Sequence, residues 1–134
     1  MQIEGYKKLI IWKNLCYLRR RIYMVTERFR KNHPRLVSQM RDSIRSSKQN
    51  IAEGYKKDSL GSFIQSVKIS RGSLEELTED VQDCFDDSLI TQKEYDELYG
   101  LSKKTMYLID RFLDSLYKLR KEGRWKTRWE KFKK

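Results

Sequence analysis

Pro34 is the chain's single proline, and only six glycines accompany it in 134 residues. Proline removes a backbone donor and clashes with the preceding helical turn, so it is the strongest stop a helix meets. With so few breakers the chain must form few, long elements. No stretch shows the alternation of a half-buried strand, whereas apolar residues recur at steps of three and four along the whole length. An all-α fold of four helices is expected.

The first helix is placed from about residue 7 to 32, with Trp12, Leu15, Cys16, Ile22, Tyr23, Thr26 and Phe29 on one face. "NHPR" ends it, and Pro34, tolerated in a first turn, opens the second helix, which runs to Tyr55. Leu36, Met40, Ile44, Ser47, Ile51 and Tyr55 form its apolar stripe. A row of small and polar residues, Gln39, Ser43, Ser46, Asn50 and Gly54, lies beside it, with Gly54 expected to end the helix in a left-handed cap. Asp58 or Ser59 caps a third helix that runs to about Asp87. Its stripe is Leu60, Phe63, Ile64, Val67, Leu74, Leu77, Val81, Cys84 and Phe85. Gly72 sits mid-helix, where it costs about 1 kcal/mol against alanine, so a close approach to the second helix is expected there. "TQKE", Thr91 to Glu94, has the form of a capping box and opens the fourth helix, which Gly123 closes. Helices of 20 to 30 residues with short connections imply an up-down-up-down antiparallel four-helix bundle over residues 1–123, followed by a tail, 124–134.

The net charge is +11, which favours an anionic partner, nucleic acid before a membrane surface. The charge is uneven: residues 1–33 carry +7 and residues 58–87 carry −6. The topology gathers Lys7, Lys8, Lys13, Lys56, Lys57, Lys118, Arg120 and Lys121 at one end of the bundle, a basic pole. A second set, Arg41, Arg45 and Lys48, points one way along the second helix. In the tail, Arg124, Lys126, Arg128 and Lys131 alternate with Trp125 and Trp129. Cations attract phosphates and exposed rings stack on unpaired bases, although the same pattern suits docking on protein or an interfacial helix. At the opposite end Asp80, Asp83, Asp86 and Asp87 crowd a helix C-terminus, against the helix dipole. Either Arg28, Arg30, Lys31 and Arg35 pair with them or they form a solvated acidic face. Of Arg19, Arg20 and Arg21, one is expected along the bundle edge and two in water.

Catalysis has little to stand on. The one histidine, His33, lies beside Pro34 at a helix break, where it is expected to be exposed. No phosphate loop, nucleophile elbow or zinc spacing is present, so no enzyme, cofactor, metal or small-molecule substrate is expected. Cys16 and Cys84 read as reduced core thiols of a cytoplasmic protein. No apolar run approaches the ~20 residues that span a bilayer.

Several stretches taken together carry a family resemblance: Trp12-Lys13, "IYMVTERF" at 22–29, "QMRDSIRSSKQNIAEGY" at 39–55, Phe63 and "ISRGSLEEL" at 69–77. The chain resembles the bacterial four-helix-bundle family encoded within intervening sequences of large-subunit rRNA genes. Where that family usually has Ile-Pro-Ser before "NIAEG", this chain has Ser47, Lys48 and Gln49, which removes the proline that would kink the second helix. The resemblance implies a homopentamer around a central axis. It also implies kinship with the accessory proteins of diversity-generating retroelements, which are basic bundles that bind nucleic acid and a reverse transcriptase. It supplies no settled activity.

Overall fold

A computed structural model describes residues 5–123. A 3-10 turn, Gly5–Lys8, leads into α1 (Ile10–Glu27), followed by α2 (Pro34–Gly54), α3 (Leu60–Asp86) and α4 (Gln92–Glu122). No strand occurs among the described residues. Helix α1 packs on α2 and α4, and α3 packs on the same two, so α1 and α3 occupy diagonal corners of an antiparallel four-helix bundle.

The start signals read from the sequence hold. Pro34 opens α2 in its first turn. Ser59 caps α3, its hydroxyl accepting from Ser62 N–H at 3.1 Å. Thr91 and Glu94 form the reciprocal capping box of α4, and Gly123 closes α4 in the left-handed conformation at φ 65°. The first helix is shorter than expected, because residues 28–32 form turns rather than a last helical stretch.

The core follows a heptad in three helices. In α1, Ile11, Leu15, Leu18, Ile22 and Val25 are buried, continued by Phe29 in the turn; in α2 the buried seam is Val37, Met40, Ile44, Ser47, Ile51 and Gly54. In α3 it is Leu60, Phe63, Val67, Ser70, Leu74, Leu77, Val81 and Cys84. Alternating steps of three and four keep one seam turned inward when helices pack nearly parallel. The expected α1 face is therefore rotated. Trp12, Cys16 and Tyr23 are half-buried at its edge, and Ile11, Leu18 and Val25 take the centre. In α2, Val37 rather than Leu36 fills the core.

Two glycine expectations are overturned. Gly54 is the last residue of α2, as expected, but it forms no left-handed cap: its φ is not positive, and Tyr55 after it is right-handed at φ −69°. Gly54 is small because Phe63 lies against it; a Cβ there would sit 2.7 Å from Phe63 Cδ1. Gly72 makes no close approach, since a Cβ there would meet nothing within 4 Å. The α2–α3 seam is instead drawn together by serines. Ser47 donates to the Ser70 carbonyl at 2.9 Å, and Ser46 and Ser73 share a hydrogen bond of 2.9 Å. Hydroxyls buried in pairs are satisfied without bulk, which permits close packing.

Candidate nucleic-acid interface

The turns at the end where α1 begins are held by a chain of rings. Tyr6, buried, meets Trp12 edge-on at 4.8 Å and Tyr55 at 5.9 Å. Tyr55 meets Phe63 at 5.0 Å, and Phe63 meets Phe112 at 5.9 Å. Rings from the turn before α1, from α1, from the residue after α2, and from α3 and α4 thus form one aromatic plug, which fixes the flanking turns relative to each other. Burial pushes the Tyr55 hydroxyl above its ordinary pKa.

Cations surround this plug. Lys7 lies in the turn before α1, its ammonium 5.9 Å from the Tyr6 ring. Lys56 and Lys57 are exposed in the turn after α2, where their amides bond back to Glu53 and Gly54 carbonyls at 3.0 and 3.2 Å. Lys56 has one acidic neighbour, Glu53, at 4.0 Å with both side chains more than half exposed, an arrangement that binds weakly in water. Lys118, Arg120 and Lys121 are exposed on the last turns of α4, with Arg120 over the Tyr117 ring at 5.3 Å. The structure therefore brings Lys7, Lys56, Lys57, Arg120 and Lys121 to one end. Lys13 lies one turn further up, exposed on the outer side of α1. The side chain of Lys8, and Arg124, Trp125, Lys126, Arg128, Trp129 and Lys131 of the tail, lie outside the described residues.

The basic stripe of α2 is engaged with the fold. Arg41 donates to Thr26 Oγ1 at 3.1 Å, to the Tyr23 carbonyl at 3.0 Å and to Glu27 at 3.0 Å, with its guanidinium 4.6 Å from the Tyr23 ring. Lys48 lies 4.9 Å over Trp12, and Arg45 sits 3.5 Å from Asp42. Arg41 and Lys48 seal the α1–α2 seam by covering its half-buried aromatics, whereas Arg45 stays exposed and pairs only along its own helix.

At the opposite end the arginines look elsewhere than to the acids of α3. Arg28 pairs with Glu94 and donates to the Leu89 carbonyl at 3.3 Å, while Arg30 pairs with Glu27. The Arg28 bond, helped by the Thr91 amide, holds the Glu94 carboxyl down at about 2. Arg21 forks onto Glu97 at 2.9 and 3.1 Å, with Tyr17 donating to the same carboxylate, so it is the arginine at the bundle edge. Arg20 faces water, and Arg19 is half-buried over Tyr23 at 4.5 Å. Asp80 is buried, accepting from Gln39 at 2.9 Å; burial first, then the charges of Asp83, Glu76 and Glu79, push its carboxyl up. The solvated acidic face is the outcome for Asp83, Asp86 and Asp87.

Cys84 is a core thiol, pushed up to about 12 by burial, whereas Cys16 is only half-buried. His33 is half-buried too, edge-on to Phe29 at 6.2 Å. Among the described residues no group of His, Cys, Asp and Glu side chains is placed to hold a metal ion, and no helix is long and apolar enough to cross a membrane. The sequence reading missed an open cleft of about 370 Å³ between the start of α1 and the end of α4, lined by Leu9, Ile10, Leu108, Arg111 and Phe112. It also missed the apolar residues left outside: Ile10, Tyr17 and Met24 recur every seven residues along α1, one register off the core. That period was the available signal.

No curated protein matches the sequence. Among solved structures the chain is similar to a protein of unknown function from the S23 ribosomal protein family of Bacteroides thetaiotaomicron. The TM-score is 0.73 at 17% identity, over 78% of this chain and 98% of that one, so the likeness is one of fold. The model of the 23S rRNA-intervening sequence protein family matches residues 7–111, and the chain belongs to that family.

Proposed function

We propose that this protein is a non-catalytic, homo-oligomeric nucleic-acid-binding protein, with RNA the favoured ligand and the cytoplasm its place of work. The observation that carries the reading is the basic pole. Lys7, Lys56, Lys57, Lys118, Arg120 and Lys121 come from three separate segments and meet at one end of the bundle, most of them exposed. Contacts of this kind grip phosphates and read little sequence. The tail, with Arg124, Trp125, Lys126, Arg128, Trp129 and Lys131, continues from the same end and adds stacking rings. The family resemblance favours a pentamer, which would repeat the pole five times and raise avidity.

A salt series of fluorescence anisotropy, with single-stranded RNA and duplex DNA, tests this. Neutralising about four phosphates gives a log–log slope near −3 for a single strand. Binding that is absent, or flat with salt, overturns the reading.

The exposed Ile10, Met24 and Tyr107 favour a second reading, a scaffold that captures a protein such as a reverse transcriptase. It predicts stoichiometric capture of that protein together with weak RNA binding.

A further inference from the structure

The cleft between the start of α1 and the end of α4 is apolar and open to water. Leu9 and Ile10 form one wall and Leu108 and Phe112 the other, and Arg111 is the one charged residue among its lining. Ile10 is 60% exposed there, an apolar side chain that nothing in the described chain covers. The volume, about 370 Å³, is at the small end of the range for ligand pockets, about 300–1,000 Å³. That is room for one large ring rather than for a helix. Among the described residues no acid pairs with Arg111, and no cation pairs with the exposed Asp114, one turn nearer the pole.

The tail starts within reach of this cleft. Gly123 closes α4 in the left-handed conformation at φ 65°, which stops the helix and turns the chain off its axis. Eleven residues follow, 124–134. Phe112 lies about 17 Å back along α4 from Gly123, at about 1.5 Å per residue. An extended chain covers at most about 3.3–3.6 Å per residue, so Trp125 reaches only about 7 Å and falls short, whereas Trp129 reaches about 20 Å. Phe132 reaches as well, but Lys131 and Lys133 flank it, and Arg111 repels both. Trp129 is followed by Glu130, the tail's only acid. Going away from the pole, α4 presents Asp114 and then Arg111, and a tail running antiparallel to it presents Arg128 and then Glu130. The charges are complementary on either side of Trp129.

We propose that Trp129 docks into the α1–α4 cleft of its own chain, laying the tail back along the end of α4 with Glu130 on Arg111 and Arg128 on Asp114. Burying an aromatic ring of this kind removes about 150–250 Å² from water. A short tether holds the ring at an effective concentration in the millimolar range, so a contact of modest intrinsic strength is enough. A tail arriving from a second copy lacks that advantage. The docking does not depend on RNA. Where the RNA reading holds, the anchored tail sets its cations beside the pole and leaves Trp125 and Phe132 outside the cleft.

Fluorine NMR on the full chain labelled with 5-fluorotryptophan tests this, the Trp129 signal being identified by its loss in Trp129→Phe. In the native chain that signal should stand away from its position in urea. Ile10→Glu and Arg111→Glu, both at exposed positions, should each return it to the urea position while leaving far-ultraviolet circular dichroism unchanged. Adding Glu130→Arg to Arg111→Glu restores the ion pair with its signs exchanged, and the shifted signal with it. A Trp129 signal at the urea position in the native chain, or one that is shifted but indifferent to these variants, overturns the proposal. Labelled Ile10→Glu chains refolded together with unlabelled Trp129→Phe chains should keep the signal at the urea position. Its recovery would show the tail entering a second copy's cleft instead. RNA binding that weakens in Ile10→Glu while the Trp129 signal stays where it was would make the cleft a slot for an RNA base, and that too overturns the docking.

Discussion

Gly54 of α2 lies so close to Phe63 of α3 that a β-carbon would stand 2.7 Å from Cδ1 and 2.9 Å from Cε1 of the ring. Phe63 is itself packed between Tyr55 and Phe112. The ring cannot retreat without disturbing the aromatic plug that positions Lys56 and Lys57. Gly54→Ala is therefore expected to destabilise by about 1–3 kcal/mol, the range for overpacking a filled core, despite alanine's better helix propensity. Chemical denaturation measures it. Phe63→Leu in the same chain should recover part of the loss, and the absence of any recovery would show that the contact is not the cause.

Ser88 is the only described non-glycine residue with positive φ, at 60°. It turns the chain from α3 into α4, with Leu89 N–H bonded to the Cys84 carbonyl at 2.8 Å. The left-handed conformation crowds a β-carbon against the backbone. Ser88→Gly should stabilise the fold by up to about 1 kcal/mol, read as a higher midpoint in urea with unchanged slope. A loss of stability would mean that the serine side chain supports the turn.

What the sequence made legible follows from which signals are local. Helix starts depend on a few adjacent residues, so Pro34, Ser59 and the Thr91–Glu94 box could be read directly. The core face of α1 depends on what the neighbouring helix places beside it. Trp12 and Tyr23 are bulky aromatics on α1 and invite a core assignment, yet Lys48 and Arg41 reach over them from α2. Their faces are apolar and their edges wet, so they settle at the seam while Ile11, Leu18 and Val25 fill the centre. The glycines failed for the same reason: a single helix cannot tell a cap from a cramped neighbour. At the basic pole, topology alone brought Lys7, Lys56, Lys57 and Lys121 to one end, while Lys13 lies a turn further up. Topology could not show that Arg41 is consumed by three hydrogen bonds within the fold.

Glu94 supplies the pH dependence. Its carboxyl is held at about 2 by Arg28 and by the Thr91 amide, well below the ordinary carboxylate value of 4.5. A depressed folded-state pKa gives stability that is complete above the unfolded value and is lost as pH falls from about 4.5 through 2. Arg28 is half-exposed, so solvent screening leaves on the order of 1 kcal/mol. Glu94→Gln should lower stability at pH 7 by that amount and converge with the wild type near pH 2. Parallel curves across the range would place the effect elsewhere.

Thiol chemistry should separate the two cysteines. Burial pushes Cys84 up to about 12, leaving almost no thiolate at pH 8, and its sulfur sits 3.6 Å from Met40 Sδ in the core. Cys16 is half-buried at the surface. Native protein treated with iodoacetamide should acquire one adduct, on Cys16, with the second appearing only after denaturation. Two adducts at equal rates on the native chain would show that α3 opens far more readily than its packing implies.

The cations divide by what they touch, and the division can be measured. Arg41 bridges α2 to the end of α1 through Thr26, Tyr23 and Glu27, so Arg41→Met should cost about 1–3 kcal/mol by stranding those acceptors. The folded variant should still bind RNA as the wild type does. Lys56 and Lys57 touch nothing structural beyond a loose approach to Glu53, so Lys56→Gln with Lys57→Gln should leave the melting temperature within a degree or two. RNA affinity should fall several-fold at 100 mM salt, with the salt slope shallower by about 1.4 for the two lost phosphate contacts. Denaturation and anisotropy on the same two variants decide the matter. If Arg41→Met weakens RNA binding at full stability while the lysine pair changes neither quantity, the binding surface is the α1–α2 seam and not the pole.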